Sequence, residues 1–313
     1  MDVEPLRLTK PIPSLPGTVV LSASAVAQSQ PLVHPASRSF LWTSDPVILG
    51  FVVLGLGLYV LGTIRALDAT RRNVSLFQVA AFLLGWFALV VALISPIHEM
   101  SESLFSAHMA QHELLMAVVA PLLVVGRPDL MYLWALPMPW RKRLGKLQHK
   151  VVVTWMWRLA AVPFSAWLLH GIALWMWHIP ALFNETLFHS WIHAAQHASF
   201  LGTALLFWGS LLYGHMGKRA YGTGILYVFT TAIHTSILGA LLTFASSPWY
   251  AIYQRTTAFW GLSPLEDQQL GGLIMWVPAS LIYVVVGLWL FAGWIRDSDR
   301  RTSFGRVQAI IQQ

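Results

Sequence analysis

Seven stretches of mostly apolar residues follow one another along the chain, at 46–64, 74–97, 106–125, 159–178, 192–213, 222–244 and 270–295. A bilayer core of roughly 30 Å needs about 20 such residues for one helical crossing. Each stretch is long enough and poor enough in charge to meet that requirement. The pattern predicts an all-α polytopic membrane protein, a seven-transmembrane-helix bundle. Pro121 and Pro278 inside it are tolerated because neighbouring helices re-satisfy the backbone. Gly55, Gly62 and Gly239 offer faces on which helices can approach closely. Residues 1–45 form a Pro- and Ser-rich segment before the first span, with a signal-like Ala25-Val26-Ala27 run. Residues 296–313 form a basic tail after the last.

Composition agrees with this pattern. The chain is 56% apolar and 11% charged, with mean hydropathy +0.60, whereas soluble domains are about 25% charged. It has no cysteine, which excludes disulfides, thiolate metal sites and Cys-X-X-Cys redox pairs. The net charge of +7 changes the picture only through its placement. Arg65, Arg71 and Arg72, the basic residues from Arg127 to Arg158, Lys218 and Arg219, and Arg296 to Arg306 all fall on alternate connections. The opposite side holds Arg7, Lys10, Arg38 and Arg255. The positive-inside rule then puts the N-terminus out and the C-terminus in. Basic loops beside anionic lipid explain the excess, and no nucleic-acid partner is needed. In the longest of these loops Trp140, Leu144, Leu147 and Val151 share one helical face among basic residues, predicting a helix lying on the inner lipid surface.

The chemistry gathers at the other side. His98, His108, His112, His178, His189, His193 and His197 fall at outer span ends, with Glu99, Glu102, Glu113, Glu185, Glu266 and Asp267 on the same side. His170 and His234 fall mid-membrane. Ionisable groups in a membrane are costly, which makes them functional candidates. His108 and His112 are four apart, as are His193 and His197, so each pair stands on one helix face. Met116 continues the first row, and Met109 and Met100 lie near its level. Imidazole suits copper, zinc, iron and nickel, while thioether favours cuprous copper. Copper is therefore the first expectation and zinc the second. The expected ligands are His108, His112, His178, His193, His197, His98 and Met109. Glu113 and Asp267 are the expected supporting carboxylates, Asp267 as an orienting partner of a ligand histidine.

One outer hairpin reads Glu102-Ser103-Leu104-Phe105 and then His108-Met109-Ala110-Gln111-His112. The next reads Glu185-Thr186-Leu187-Phe188 and then His193-Ala194-Ala195-Gln196-His197. This echo suggests two half-sites facing each other across the bundle. Trp42, Trp177, Trp191, Trp249, Tyr250, Trp260 and Trp294 read as interface anchors. No nucleotide-binding loop, nucleophile elbow or zinc-protease helix is present, so no enzyme activity is expected. Two other readings stay open: a b-type haem electron carrier ligated by His170 and His234, and a copper or proton transporter.

Taken together, several strings resemble the CtaG family of cytochrome c oxidase (caa-type) assembly factors, the multi-span membrane type. They are His108-Met109-Ala110-Gln111-His112-Glu113 with Pro121-Leu122-Leu123 and Gly126-Arg127-Pro128; Trp177-His178-Ile179-Pro180; His193-Ala194-Ala195-Gln196-His197; and Asp267-Gln268-Gln269-Leu270-Gly271-Gly272-Leu273-Ile274-Met275-Trp276. The resemblance spans roughly 46–295. It implies an integral factor of the bacterial cytoplasmic membrane that holds or delivers copper for the oxidase catalytic subunit, served by a periplasmic copper donor. Of the expected ligands, His108, His112, His178, His193 and His197 lie in the matching strings.

Overall fold

The computed structural model describes residues 45–70, 74–148, 162–213 and 220–311. The N-terminal segment, including Trp42 and His34, lies outside them, as do His149, Val151 and His215. The described residues are helical, with no strand among them. In order they form α1 (Pro46–Thr70), α2 (Leu76–Ile94), α3 (Pro96–Ser101), α4 (Phe105–Glu113), a π-helical segment (Leu114–Val119), α5 (Ala120–Gly126), α6 (Pro128–Ala135) and α7 (Met138–Gln148). There follow α8 (Pro163–Trp177), α9 (Pro180–Phe188), α10 (Ser190–Tyr213), α11 (Ala220–Thr243), 3-10 turns at Ala251–Arg255 and Thr257–Trp260, and α12 (Pro264–Ile311).

Proline sets many of the starts. Helices α1, α3, α6, α8, α9 and α12 each begin on one, where its fixed φ suits the helix and its missing N–H removes a donor that would have no partner. Ser95-Pro96 breaks the second expected span. The Ser95 hydroxyl accepts from Ile97 N at 3.2 Å and opens α3. Between α5 and α6 the chain turns through Arg127 in the left-handed region, at φ 52°. The expected tail after residue 295 continues the last helix, which runs to Ile311.

Among the described residues, five helices are long and apolar enough to cross a membrane: Pro46–Asp68, Leu76–Ile94, Phe105–Gly126, Tyr221–Thr243 and Pro264–Ser298. Helices α8 and α9, bent by 76° at His178-Ile179, make a sixth if they count as one broken span. Seven were expected. The difference is α10, which has the length at 24 residues, but whose His193, Gln196 and His197 lower its apolar character. Side chains such as Leu54, Phe87, Leu281, Val285 and Leu288 point outward from the bundle, as lipid-facing positions do. Trp140 of α7 is likewise exposed.

Two apolar clusters hold the bundle. One joins α1, α2, the π segment, α5 and α6 around Tyr59, Phe82, Trp86 and Leu89, with the Tyr59 and Phe82 rings stacked at 3.4 Å. The other joins α4 and α8 to α12 around Phe105, Phe183, Phe200, Phe207, Trp208 and Tyr283. Leu201 and Leu205 of α10 pack against both. Close approach relies on glycine at the expected places. A Cβ on Gly62 would collide with the Met131 carbonyl of α6, and one on Gly239 would come within 2.9 Å of the Gly272 carbonyl where α11 crosses α12.

The two ends of the bundle are tied differently. At the basic end Arg65 donates to the Ala135 carbonyl, Arg141 Nε donates to the Leu136 carbonyl at 3.1 Å, and Arg127 pairs with Asp129 at 3.2 Å. At the other end α12 opens with a reciprocal cap between Ser263 and Glu266. The next residue, Asp267, is fully buried and accepts from Phe105 N at 2.7 Å, Ser106 N at 3.1 Å and Ser106 Oγ at 2.5 Å. This corrects the expectation that Asp267 orients a histidine. The first N–H groups of a helix lack intrahelical partners, and the carboxylate is committed to those of α4. It locks the start of α4 to α12 and so fixes the histidines that follow.

Asp267→Ala leaves those three donors without their acceptor, at about 1–3 kcal/mol of lost stability for the buried groups. Thermal unfolding of the detergent-purified protein is expected to show a clearly lowered midpoint, and a smaller drop for Glu266→Ala at the exposed cap. Equal midpoints for Asp267→Ala and the parent would contradict this role.

Candidate metal centre

The first turns of α4 carry His108, Met109, Gln111 and His112, and the first turns of α10 carry His193, Gln196 and His197. The i,i+4 spacing makes each pair one face, and the two faces meet. His108 lies 5.0 Å from His193 and 6.1 Å from His197 between ring centroids, and His112 lies 5.4 Å from His197. Within each helix the rings are 4.4 Å (His108 and His112) and 4.3 Å (His193 and His197) apart. One ligand nitrogen from each of His108, His193 and His197 lies within 4.8 Å of the others. All four rings are buried. The half-sites suggested by the echoed strings thus face one another. The echo does not extend to the preceding aromatics, since Phe105 is buried in the core while Phe188 is exposed.

Hydrogen bonds hold part of this set and leave part open. Burial pushes the Tyr253 phenol well above its ordinary pKa, with Asp267, Tyr250 and Glu102 adding to the rise, so its O–H stays protonated and donates to the Ser101 carbonyl at 2.9 Å. The same oxygen lies 3.3 Å from His108 Nδ1. The proton on that contact therefore belongs to Nδ1, which leaves His108 Nε2 with its lone pair. That nitrogen faces Gln196 Oε1 at 3.1 Å, an acceptor. Turning the Gln196 amide end for end gives it the donor it needs, from an NH2 group that otherwise has no partner. Both nitrogens of His112, and Nε2 of His193 and of His197, have no hydrogen-bond partner. Each such buried atom costs about 1–3 kcal/mol when left unmade. A cation with bonds of about 2.0 Å to imidazole fits between these rings once they rotate slightly inward.

The remaining expected residues divide. His178 ends α8, its ring 6.3 Å from that of His112. Its Nδ1 lies 2.6 Å from the Leu174 carbonyl, and its Nε2 lies 3.4 Å from Met109 Sδ. His98 of α3 stacks on His193 at 5.6 Å and meets Gln111 Nε2 through Nδ1 at 3.1 Å. His189, by contrast, pairs with Glu185 at 3.4 Å, both half exposed. Glu113 is near enough to Tyr283 of α12 to interact with it electrostatically. Met116 lies in the π segment, which begins at Leu114 and changes the helical register, and packs in the cluster of Phe105 and Met109; its carbonyl accepts from Trp208 Nε1 at 2.9 Å. His170 bonds Thr203 Oγ1 at 3.2 Å, deeper in the bundle.

Several neighbours were missed from sequence. Gln111 and Gln196 stood inside both His-x-x-Gln-His strings, and their repetition was the available signal. Gln111 donates to the Ala92 carbonyl at 2.6 Å and ties α4 to α2. Tyr250 was expected as a lipid-interface anchor, but it is buried, packs on Phe105 and Phe183, and donates to the His178 carbonyl at 2.9 Å. Nothing in its local sequence distinguishes it from the exposed Trp249 beside it.

Comparison with known proteins covers the same region. Uncharacterized proteins from Mycobacterium bovis and Mycobacterium tuberculosis are each 29% identical to this chain over 273 residues, and one from Mycobacterium leprae is 28% identical over 271. The alignments take in 84%, 84% and 83% of this chain but 40% of each relative, so the chain spans less than half the length of these relatives. No solved structure matches. The model of the cytochrome c oxidase caa3 assembly factor family matches residues 57–297. That match holds α3, α4, α8, α10 and the start of α12, and with them every histidine of the cluster: the chain belongs to the cytochrome c oxidase caa3 assembly factor family.

Proposed function

We propose that this protein holds copper between the α4 and α10 imidazoles and releases it to the catalytic subunit of a haem–copper cytochrome c oxidase during assembly. The observation that carries the proposal is the meeting of His108, His112, His193 and His197 in a buried interior, with ring nitrogens of His112, His193 and His197 left without a hydrogen-bond partner. Neutral imidazoles are exchangeable ligands for copper, and a few of them hold an ion out of water without trapping it as a thiolate cage would. The bundle crosses the bacterial cytoplasmic membrane seven times, counting α10 and the bent α8–α9 pair, with its N-terminus out and its C-terminus in. The imidazoles then lie at the outer membrane level, where a periplasmic donor can supply the ion. His98, only partly buried and stacked on His193, stands where an ion would enter. The role needs no catalysis by the chain itself.

The purified protein is expected to bind copper, with affinity reduced at least about tenfold in His112→Ala and in His197→Ala, since even groups that only support metal ligands are worth 10–100-fold. Equilibrium dialysis checks this, and parent-like binding by both variants contradicts it. In cells, deletion of the gene followed by metal and haem analysis of the purified oxidase is expected to show copper lost and haem retained. An oxidase with its full copper content would overturn the functional assignment.

A further inference from the structure

Beside the three-imidazole group lies a second arrangement with different donors. The His178 Nδ1 sits 2.6 Å from the Leu174 carbonyl oxygen. A carbonyl brings no proton to such a contact, so Nδ1 carries it. In the neutral ring Nε2 then presents its lone pair, and it presents it to Met109 Sδ at 3.4 Å. A thioether sulfur has no proton either. Two electron-pair donors thus face each other in the interior, with His178 and Met109 both buried. Metal bonds of about 2.0 Å to nitrogen and 2.3 Å to sulfur would span that 3.4 Å gap with an angle of roughly 100° at the metal. Such an angle belongs to a centre with three or four ligands, so further donors are required.

His112 supplies one. It is three residues after Met109 on the same helix, its ring is 6.3 Å from that of His178, and both of its nitrogens lack partners. It also stands 4.4 Å from His108 and 5.4 Å from His197. His112 is therefore shared between two groups: an all-nitrogen set at His108, His193 and His197, and a nitrogen–sulfur set at Met109 and His178.

We infer that the site has two adjacent metal positions that His112 serves in turn, and that the inner one, formed by Met109, His112 and His178, selects the cuprous ion. This rests on the copper reading above and deepens it by naming the oxidation state of the cargo. Imidazole alone accepts zinc and cupric copper as readily as cuprous, whereas a thioether strengthens only soft ions. A divalent ion therefore stops at the outer position, and a cuprous ion moves on to the inner one. Movement between them requires only that His112 exchange partners, with no covalent or redox step.

The test is copper K-edge X-ray absorption on the purified full chain loaded with one equivalent of cuprous ion, together with titrations of silver(I), a redox-inert soft ion, and zinc(II). The expected spectrum shows nitrogen and one sulfur scatterer, the latter at about 2.3 Å. In Met109→Leu, a swap that nearly conserves volume, the sulfur is lost and the nitrogen remains. Silver affinity falls about tenfold, while zinc affinity stays within about twofold. A nitrogen-only shell in the parent protein, or a sulfur shell that survives in Met109→Leu, would overturn the inner position and leave the copper reading standing. A parent protein that binds no copper overturns the copper reading itself. The parent spectrum needs no variant to fold.

Discussion

Four imidazoles from two helices face each other in an apolar interior without enough hydrogen-bond partners to go round. Most of the structure can be understood from that constraint. Imidazole nitrogens buried without partners are unfavourable, so the surroundings must hold them against relaxation. Asp267 does this at the helix start, by binding the first N–H groups of α4. Tyr253 does it at the ring, by fixing the proton of His108. Gln111 and Gln196 do it between helices, linking α4 to α2 and to α10. Phe105, Phe183 and Phe200 close the space around the rings with apolar surface.

The π segment belongs to the same account. Directly after His112 the backbone widens over Leu114–Val119. Such widenings recur at functional sites because they change which side chains share a face. Here the change lets α4 present His108 and His112 to α10, while Leu115, Val119 and Leu123 pack into the apolar cluster of α1 and α2 and Met116 and Ala120 into the other cluster. The helix can serve a polar pocket at one end and an ordinary lipid-buried core at the other.

Much of this was legible in the sequence, for physical reasons that differ by element. The span pattern was visible because lipid imposes length and composition together. The His108/His112 and His193/His197 faces were visible because a four-residue spacing leaves no doubt about which side of a helix a residue occupies. Asp267 was misjudged because its partners, the N–H groups of Phe105 and Ser106, lie far away in sequence and are backbone atoms that no motif records. Tyr253 escaped notice, and Tyr250 was read as an interface anchor, because the 3-10 turn at Ala251–Arg255 buries the two rings without periodicity. The apolar count fell short at α10 because the residues that build the site are the ones that dilute its hydropathy. Function and span recognition compete there for the same positions.

The central claim is that histidines from separate helices bind one ion together. Pulsed electron paramagnetic resonance on the cupric-loaded protein tests it most directly, because the echo modulation counts imidazoles coupled to one copper. Combination lines from at least three equivalent imidazoles are expected, reduced in number when His193 is replaced by alanine. A signal from a single imidazole, unchanged by that replacement, would contradict it.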